Sequence, residues 1–387
     1  MGADVKAAEL LMNVEPKTDN QRKLVGLLRD ERVDLIGAFG PSGTGKSYLV
    51  LSQALLQVLE GKYDKLVLGR PVIGVTYREQ ISSARSLEVY RHHVLDYLKD
   101  LASSISPKLP AIVEEMVENG KIEIADPVFL RGRTFDRSFI FLDDVQNTTI
   151  EVVIEAITRL GIKSKLVVAG DPVFQHLYPD ASNTAVLAWE ILRNEENAEV
   201  VDLGIKDVIR PGAKRGLRLL LESVLRRRAM DDTEKLVANT YKLYAPDADI
   251  ITVINLTDAK KTFEIESENV PDALVIVKPG HVGRAIGTGG ERIGKVEEDT
   301  GLMLRVVELT LNFKEYFRAI HPVSWIHARI IDADLAGPYL VVKIPRKHLG
   351  PMLGQKGAYA KFMEAFLRKT FGVGLRVEEA ERAERKR

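Results

Sequence analysis

One octapeptide constrains this chain more than any other feature. Gly40-Pro-Ser-Gly-Thr-Gly-Lys-Ser47 fits the pattern GxxxxGK[ST] at every fixed position. A largely apolar run, Val33–Phe39, leads into it, and a helix-length stretch, Tyr48–Glu60, leads out. A strand, a glycine-rich turn and a helix form the context in which consecutive backbone N–H groups turn inward around an anion. The helix N-terminus adds its partial positive charge. Gly40, Pro41, Ser42, Gly43, Thr44, Gly45, Lys46, Ser47 and Tyr48 are therefore the expected nucleotide-binding residues. Lys46 would reach the β- and γ-phosphates of ATP, and the Ser47 hydroxyl would ligate Mg²⁺.

Such a loop needs a second anchor for the metal and a group to orient water. Phe139-Ile-Phe-Leu-Asp-Asp144 offers both, as an apolar strand ending in two carboxylates. Asp143 is expected to hold Mg²⁺ and Asp144, pointing the other way from the pleat, to orient the attacking water. A third apolar run ends at Asp171 and is followed by Gln175, a pair placed to sense the γ-phosphate. Lys65–Gly69 and Glu199–Leu203 complete five short, continuous runs that read as parallel strands covered on both faces. Helical stretches between them, such as Thr149–Leu160, make an open α/β domain whose ligand crevice lies at the carboxyl ends of the strands.

Further short segments resemble the PhoH-like family of P-loop ATPases, which is related to superfamily 1 helicases. Pro16-Lys-Thr-Asp-Asn-Gln21 resembles its entry motif, Gly69-Arg-Pro71 its "RP" signature and Leu142-Asp-Asp-Val-Gln-Asn147 its "LDEAQN" segment. Ile157-Thr-Arg-Leu-Gly161, Gly170-Asp-Pro-Val-Phe-Gln175 and Asp207-Val-Ile-Arg-Pro211 are similar to "LTRIG", "GDxxQ" and "DVVRHP". The resemblance implies that Gln21 reads the adenine edge, that Gln146 couples and that Arg210 meets the γ-phosphate, with Arg215 a second candidate. It spans about Glu15–Leu225 and departs from the family at Asp144, where a Glu is usual, and at Gln175, one residue late. Relatives can carry a nuclease before the ATPase; with only residues 1–15 preceding it here, none is expected.

Charge separates the tail from this domain. The chain balances 55 basic against 55 acidic residues, but 271–387 holds 20 Lys/Arg and 14 Asp/Glu, a net of +6. That region also repeats. Val282–Ile293 and Leu349–Tyr359 each resemble the core of a KH domain, most like the paired KH domains of NusA-type proteins, with GxxG loops at 287–290 and 354–357. A glycine turn between helices lets a sugar–phosphate backbone lie against N–H groups. The resemblance implies nucleic-acid contacts from Arg284, Gly287, Thr288, Gly289, Gly290 and Arg292 in the first copy. In the second it implies Gly354, Gln355, Lys356 and Gly357, and Leu353 in place of a β-branched residue favours a more structural role for that copy.

The fold class is thus α/β, a RecA-like P-loop NTPase core with a parallel sheet followed by two small α+β KH-type domains. The expected layout is an extension at 1–15, the ATPase at 16–230, a connector at 231–270, KH domains at 271–310 and 311–380, and a charged tail at 381–387. The absence of cysteine excludes disulfides and thiolate metal sites, and no run of roughly 18 apolar residues exists to span a membrane. A cytoplasmic protein follows as the expectation, using ATP and Mg²⁺ and partnered by RNA or single-stranded nucleic acid. One phosphate loop without a second motor domain suggests a homo-oligomeric ring, a hexamer among the options. An ATP-gated RNA-binding adaptor that unwinds nothing, and a small-molecule kinase, are the rivals. His92 and His93 read as helix-surface residues, and Trp189 and Trp325 as packing residues.

Overall fold

The computed structural model describes residues 2–71, 73–74, 79–80, 83–125, 134–174 and 183–380. The chain divides into two compact units, Met1–Ala213 and Lys214–Arg387.

The first unit opens with α1 (Gly2–Met12), α2 (Asp19–Arg29), β1 (Leu35–Phe39), α3 (Lys46–Leu59) and β2 (Lys65–Gly69). Two short strands, β3 (Ile73–Gly74) and β4 (Glu79–Gln80), precede α4 (Ser83–Ile105), α5 (Leu109–Glu118) and β5 (Ile122–Ile124). Then come β6 (Ser138–Leu142), α6 (Ile150–Thr158), β7 (Lys165–Gly170), α7 (Thr184–Arg193) and β8 (Ala198–Asp202). Six strands form one sheet in the order β5-β2-β6-β7-β1-β8, and every pair in it is parallel. All five runs read as strands are present, and β5, only three residues long at an edge, is added to them.

The strand order sets the site. β7 separates the phosphate-loop strand β1 from the Asp-bearing strand β6. The ends of β2, β6, β7, β1 and β8 are therefore neighbours at the carboxyl edge, the edge where open parallel sheets bind ligands. β1, β6 and β7 are buried along their whole length, so the loops they carry leave a rigid base. α3 is apolar almost all round, with Leu49, Val50, Leu51, Ala54, Leu55, Leu56 and Val58 buried, which embeds the helix behind the loop. Ala7 and Leu11 of α1 join the same core, so the segment expected as a mere extension packs as part of this unit.

α8 (Pro211–Arg227) carries the chain across the division. A first module follows, made of α9 (Asp232–Tyr244), β9 (Ile250–Asn255), α10 (Thr257–Thr262), β10 (Ala273–Val277), α11 (Val282–Ile286), α12 (Glu291–Thr300) and β11 (Leu304–Glu308). A second consists of α13 (Lys314–Ile320), β12 (Asp332–Ala336), β13 (Tyr339–Ile344), α14 (Leu349–Leu353), α15 (Ala358–Phe371) and β14 (Gly374–Glu379). Each has a three-stranded sheet whose central strand pairs antiparallel with the strand before it and parallel with the one after the GxxG helices. The stretch 231–270 is no connector. β9 pairs with β10, and Val237, Tyr241 and Val253 share a core with Val275 and Val296.

Candidate nucleotide pocket and nucleic-acid interface

The octapeptide forms the turn between β1 and α3. Gly40 approaches the neighbouring strand end so closely that a Cβ there would lie 2.0 Å from the Leu203 carbonyl oxygen. Gly45 caps α3 with left-handed φ/ψ of 87° and 9°. Lys46 opens the helix and turns its ammonium back into the loop, donating to the carbonyls of Gly40 at 2.6 Å and Pro41 at 2.9 Å. It is only 8% exposed, and burial pushes its pKa down while Asp171, Asp144 and Asp143 hold it up. Tyr48 follows in the first turn, partly buried against the core.

Asp143 gathers donors from three other parts of the fold. Its Oδ1 accepts the Ser47 hydroxyl at 2.9 Å and the Asp144 N–H at 3.1 Å. Its Oδ2 accepts Arg70 Nη1 at 2.7 Å and the Tyr97 hydroxyl at 2.9 Å. Only 1% of Asp143 is exposed; burial, then the neighbouring Asp144, raises its pKa, with Arg70 opposing. Asp144 adopts left-handed φ/ψ of 53° and 43°, and its carboxylate takes Arg70 Nη2 at 2.5 Å and the Gln146 amide at 3.2 Å. The Arg70 guanidinium lies 3.7 Å from the Tyr97 ring centroid, in cation–π range. Arg70, Tyr97 and both aspartates thus form one cluster with Ser47.

The next strand end continues it. Asp171 is buried; its Oδ1 caps the turn by accepting the Val173 and Phe174 N–H groups, while its Oδ2 has no hydrogen-bond partner among the described residues. Burial raises its pKa and Lys46 lowers it. Gln146 Oε1 accepts the Asp171 N–H at 3.0 Å, linking the β6 and β7 ends. Gln21 is buried beside the loop, but its amide is engaged by protein. Its Nε2 donates to the Thr44 carbonyl at 2.9 Å and the Asp207 carbonyl at 3.3 Å, and its Oε1 accepts Lys17 N–H at 2.7 Å. The Asp207 carboxylate also bonds Thr18, Asn20 and the Gly204 N–H, so the entry motif and the segment after β8 are tied together. Arg210 is exposed just before α8, and Gln175 lies outside the described residues.

Sequence reasoning gave no role to Tyr97 or to the side chain of Arg70. Arg70 was legible only as a member of a short signature; Tyr97 comes from the middle of α4, with no local signal. Arg226 and Arg228, at and just after the end of α8, are occupied by Glu222 with Asp249 and by Glu234. Among the described residues no group of three or more His, Asp or Glu forms a metal cluster, and no helix is long and apolar enough to cross a membrane.

The GxxG loops share one backbone. Gly287 and Gly354 have φ/ψ of 77°/172° and 73°/175°. Gly289 and Lys356 follow at 63°/14° and 51°/24°, and Gly290 and Gly357 at 84°/10° and 76°/16°. Gly287 and Gly354 cannot carry a Cβ, which would meet the Arg292 side chain at 2.7 Å and the Tyr359 ring at 2.5 Å. Thr288, Gly289, Gln355 and Lys356 are at or near the surface. Arg292 donates to Asp247 Oδ1 and to the Arg284 carbonyl, and Arg284 to the Asp247 carbonyl, so the first module's arginines are held by its own chain.

A glycine-rich loop between a buried strand and helix, with carboxylates at adjacent strand ends, defines the first unit as a P-loop nucleotide-binding domain. The sequence pattern of the PhoH-like protein family matches residues 13–222. The chain belongs to this P-loop ATPase-type family. It is 30% identical over 215 residues to a PhoH-like protein of Mycobacterium leprae, covering 54% of this chain and 59% of that one. It is 32% identical over 203 residues to a PhoH-like protein of Bacillus subtilis, covering 51% and 60%. The match spans about 60% of the length of these curated relatives. A solved structure titled "Crystal structure of APE1850" matches 39% of this chain and all of its own at 20% identity, with a TM-score of 0.28, too low to carry an argument.

Proposed function

We propose that this protein is a Mg²⁺-dependent ATP hydrolase coupled to binding of RNA or another single-stranded nucleic acid, working as an ATP-dependent RNA helicase or remodelling motor. The observation that carries this reading is the convergence of Lys46, Ser47, Asp143, Asp144 and Asp171 on one anion-binding loop. The donor set suits Mg·ATP. Three carboxylates against Lys46 and Arg70 favour a divalent cation, and Asp171 Oδ2 is buried with no hydrogen-bond partner among the described residues. Bound Mg²⁺ would neutralise charge on the β- and γ-phosphates. Ser47 and Asp143 would hold it, and Lys46 would bind the phosphates in place of the loop carbonyls. Asp144 would take the proton of the attacking water, which requires Arg70 to release its carboxylate. Arg210 or Arg215 would add positive charge at the γ-phosphate, in cis or from the next subunit of a homo-oligomeric ring. The two modules, read as KH-type domains, would hold the strand at their GxxG loops, and the setting is cytoplasmic.

The ATP-gated adaptor is kept as a second reading because one six-stranded α/β sheet is present among the described residues, without a second motor domain. The test pairs two assays. Lys46→Ala is expected to lower ATP turnover at least about 100-fold, and wild type should release the short strand of a partial RNA duplex. Turnover by Lys46→Ala equal to wild type contradicts the hydrolase. ATP turnover with RNA binding but no strand release favours the adaptor.

A further inference from the structure

Trp325, read from the sequence as a packing residue, is 47% exposed. It is nevertheless held in place. It precedes a short turn, Ile326–Arg329, whose Ala328 N–H donates to the Trp325 carbonyl at 3.2 Å, and the adjoining Ile326 is fully buried. The His348 ring packs edge-on against the indole, with centroids 5.6 Å apart and planes at 69°. Partial burial, then the charges of Lys347 and Arg329, lower the His348 pKa. Among the described residues, no carboxylate lies within ion-pair distance of Arg329, Arg346, Lys347 or Lys356. His348 caps α14 at one end and Gly354 closes it at the other, about 9 Å away along a five-residue helix. A half-exposed aromatic face packed against His348, whose ring feels the charges of Lys347 and Arg329, one short helix from a GxxG loop, matches what an unpaired nucleotide needs: a π surface for the base and positive charge for its phosphates.

We infer that Trp325, with His348, Arg329 and Lys347, forms a base-stacking platform for single-stranded RNA on the second module. This rests on the RNA-binding reading above and adds to it a site outside the GxxG loops. The first module has no equivalent. Its counterpart of His348 is His281, six residues before its own loop glycine, and that ring is spent accepting the Asp249 N–H at 2.9 Å.

The test uses the full chain and a labelled oligouridylate of about 12 nucleotides at low salt. Trp325→Ala should weaken binding about tenfold and Trp325→Phe less than about threefold, since a phenyl ring keeps the face. Binding should also quench the emission of the unmodified chain, because the only other tryptophan, Trp189, is buried and donates to Asp202. Binding by Trp325→Ala as tight as wild type overturns the platform while leaving RNA binding intact. Equal loss from Ala and Phe, or an altered sedimentation coefficient of Trp325→Ala without RNA, overturns it in favour of a protein contact. Equal binding of the matching deoxy-oligomer overturns RNA as the occupant. Failure of the chain to bind the oligomer at all overturns the RNA-binding reading itself.

Discussion

The two GxxG modules have nearly superimposable loop backbones and opposite side-chain economies. In the first, Arg284 and Arg292 are drawn onto Asp247, and Lys278 lies 3.9 Å from Asp249. In the second, Lys347 and Lys356 have no acidic partner among the described residues, and an indole stands in the open. Lys356 even adopts a left-handed φ of 51° where the first module uses Gly289. The lesson is that a duplicated turn conserves a way of shaping the backbone, while neighbouring carboxylates decide whether its cations can serve a polyanion. On loop sequence alone the second copy reads as the weaker grip; by charge bookkeeping it is the freer one.

The largest expected effect that separates the modules is on stability. His321 closes α13 in the second module, fully buried, with Nε2 donating to the Met352 carbonyl and Nδ1 accepting the Val323 N–H. Burial lowers its pKa from 6.5 to about 4, with the bond to the Met352 carbonyl opposing. The neutral ring is the folded form, so its contribution is complete above pH 6.5, falls as pH drops towards 4 and changes no further below that. The second module should lose roughly 3 kcal/mol across this window, seen as faster amide exchange in α14 and α15 than in α11 and α12. Parallel loss in both modules would break the comparison.

A smaller effect should appear in binding. Lys347→Glu with Lys356→Glu is expected to weaken RNA affinity about 30-fold at low salt, whereas Thr288→Asp with Gly289→Asp costs less than about fivefold. Filter binding over a salt series checks both the ratio and the shallower slope of the lysine variant. Asp247→Asn should sharpen the contrast from the other side. By releasing Arg292 it should raise RNA affinity about threefold, and no gain would mean those arginines face away from the strand. The smallest effect expected is on Lys356 itself. Lys356→Gly removes a left-handed non-glycine residue and should stabilise the fold by about 0.5 kcal/mol in chemical denaturation, while losing one cation and hence some affinity.

Most of the fold was legible because its signals are local. Continuous apolar runs marked the five long strands, and the glycine spacing marked both loops. β5 escaped because Ile122–Ile124 is too short to show a pattern, and α1 because its contacts with the core are made far away in the chain. In the pocket, Lys46, Ser47, Asp143 and Asp171 could be read from motifs, and the structure brings them together. The clamp of Arg70 on both aspartates could not, because it depends on β2 and β6 being neighbours and on α4 delivering Tyr97 from 46 residues before Asp143. Gln21 was legible as a site residue, but its bonds to Thr44 and Asp207 became visible only once the β8 end folded beside the loop. Exposure of Trp325 left no trace in sequence, since an aromatic residue beside Ile326 reads as core on either face.

The central claim is that the pocket around Lys46 turns over ATP in response to a strand held by the GxxG modules. Its most direct test is the steady-state rate of phosphate release by the full chain, with Mg²⁺ and with or without single-stranded RNA at low salt. The account predicts a several-fold rise on adding RNA that Lys347→Glu with Lys356→Glu largely removes. A rate that RNA leaves unchanged, in a protein that demonstrably binds both ATP and RNA, would contradict it.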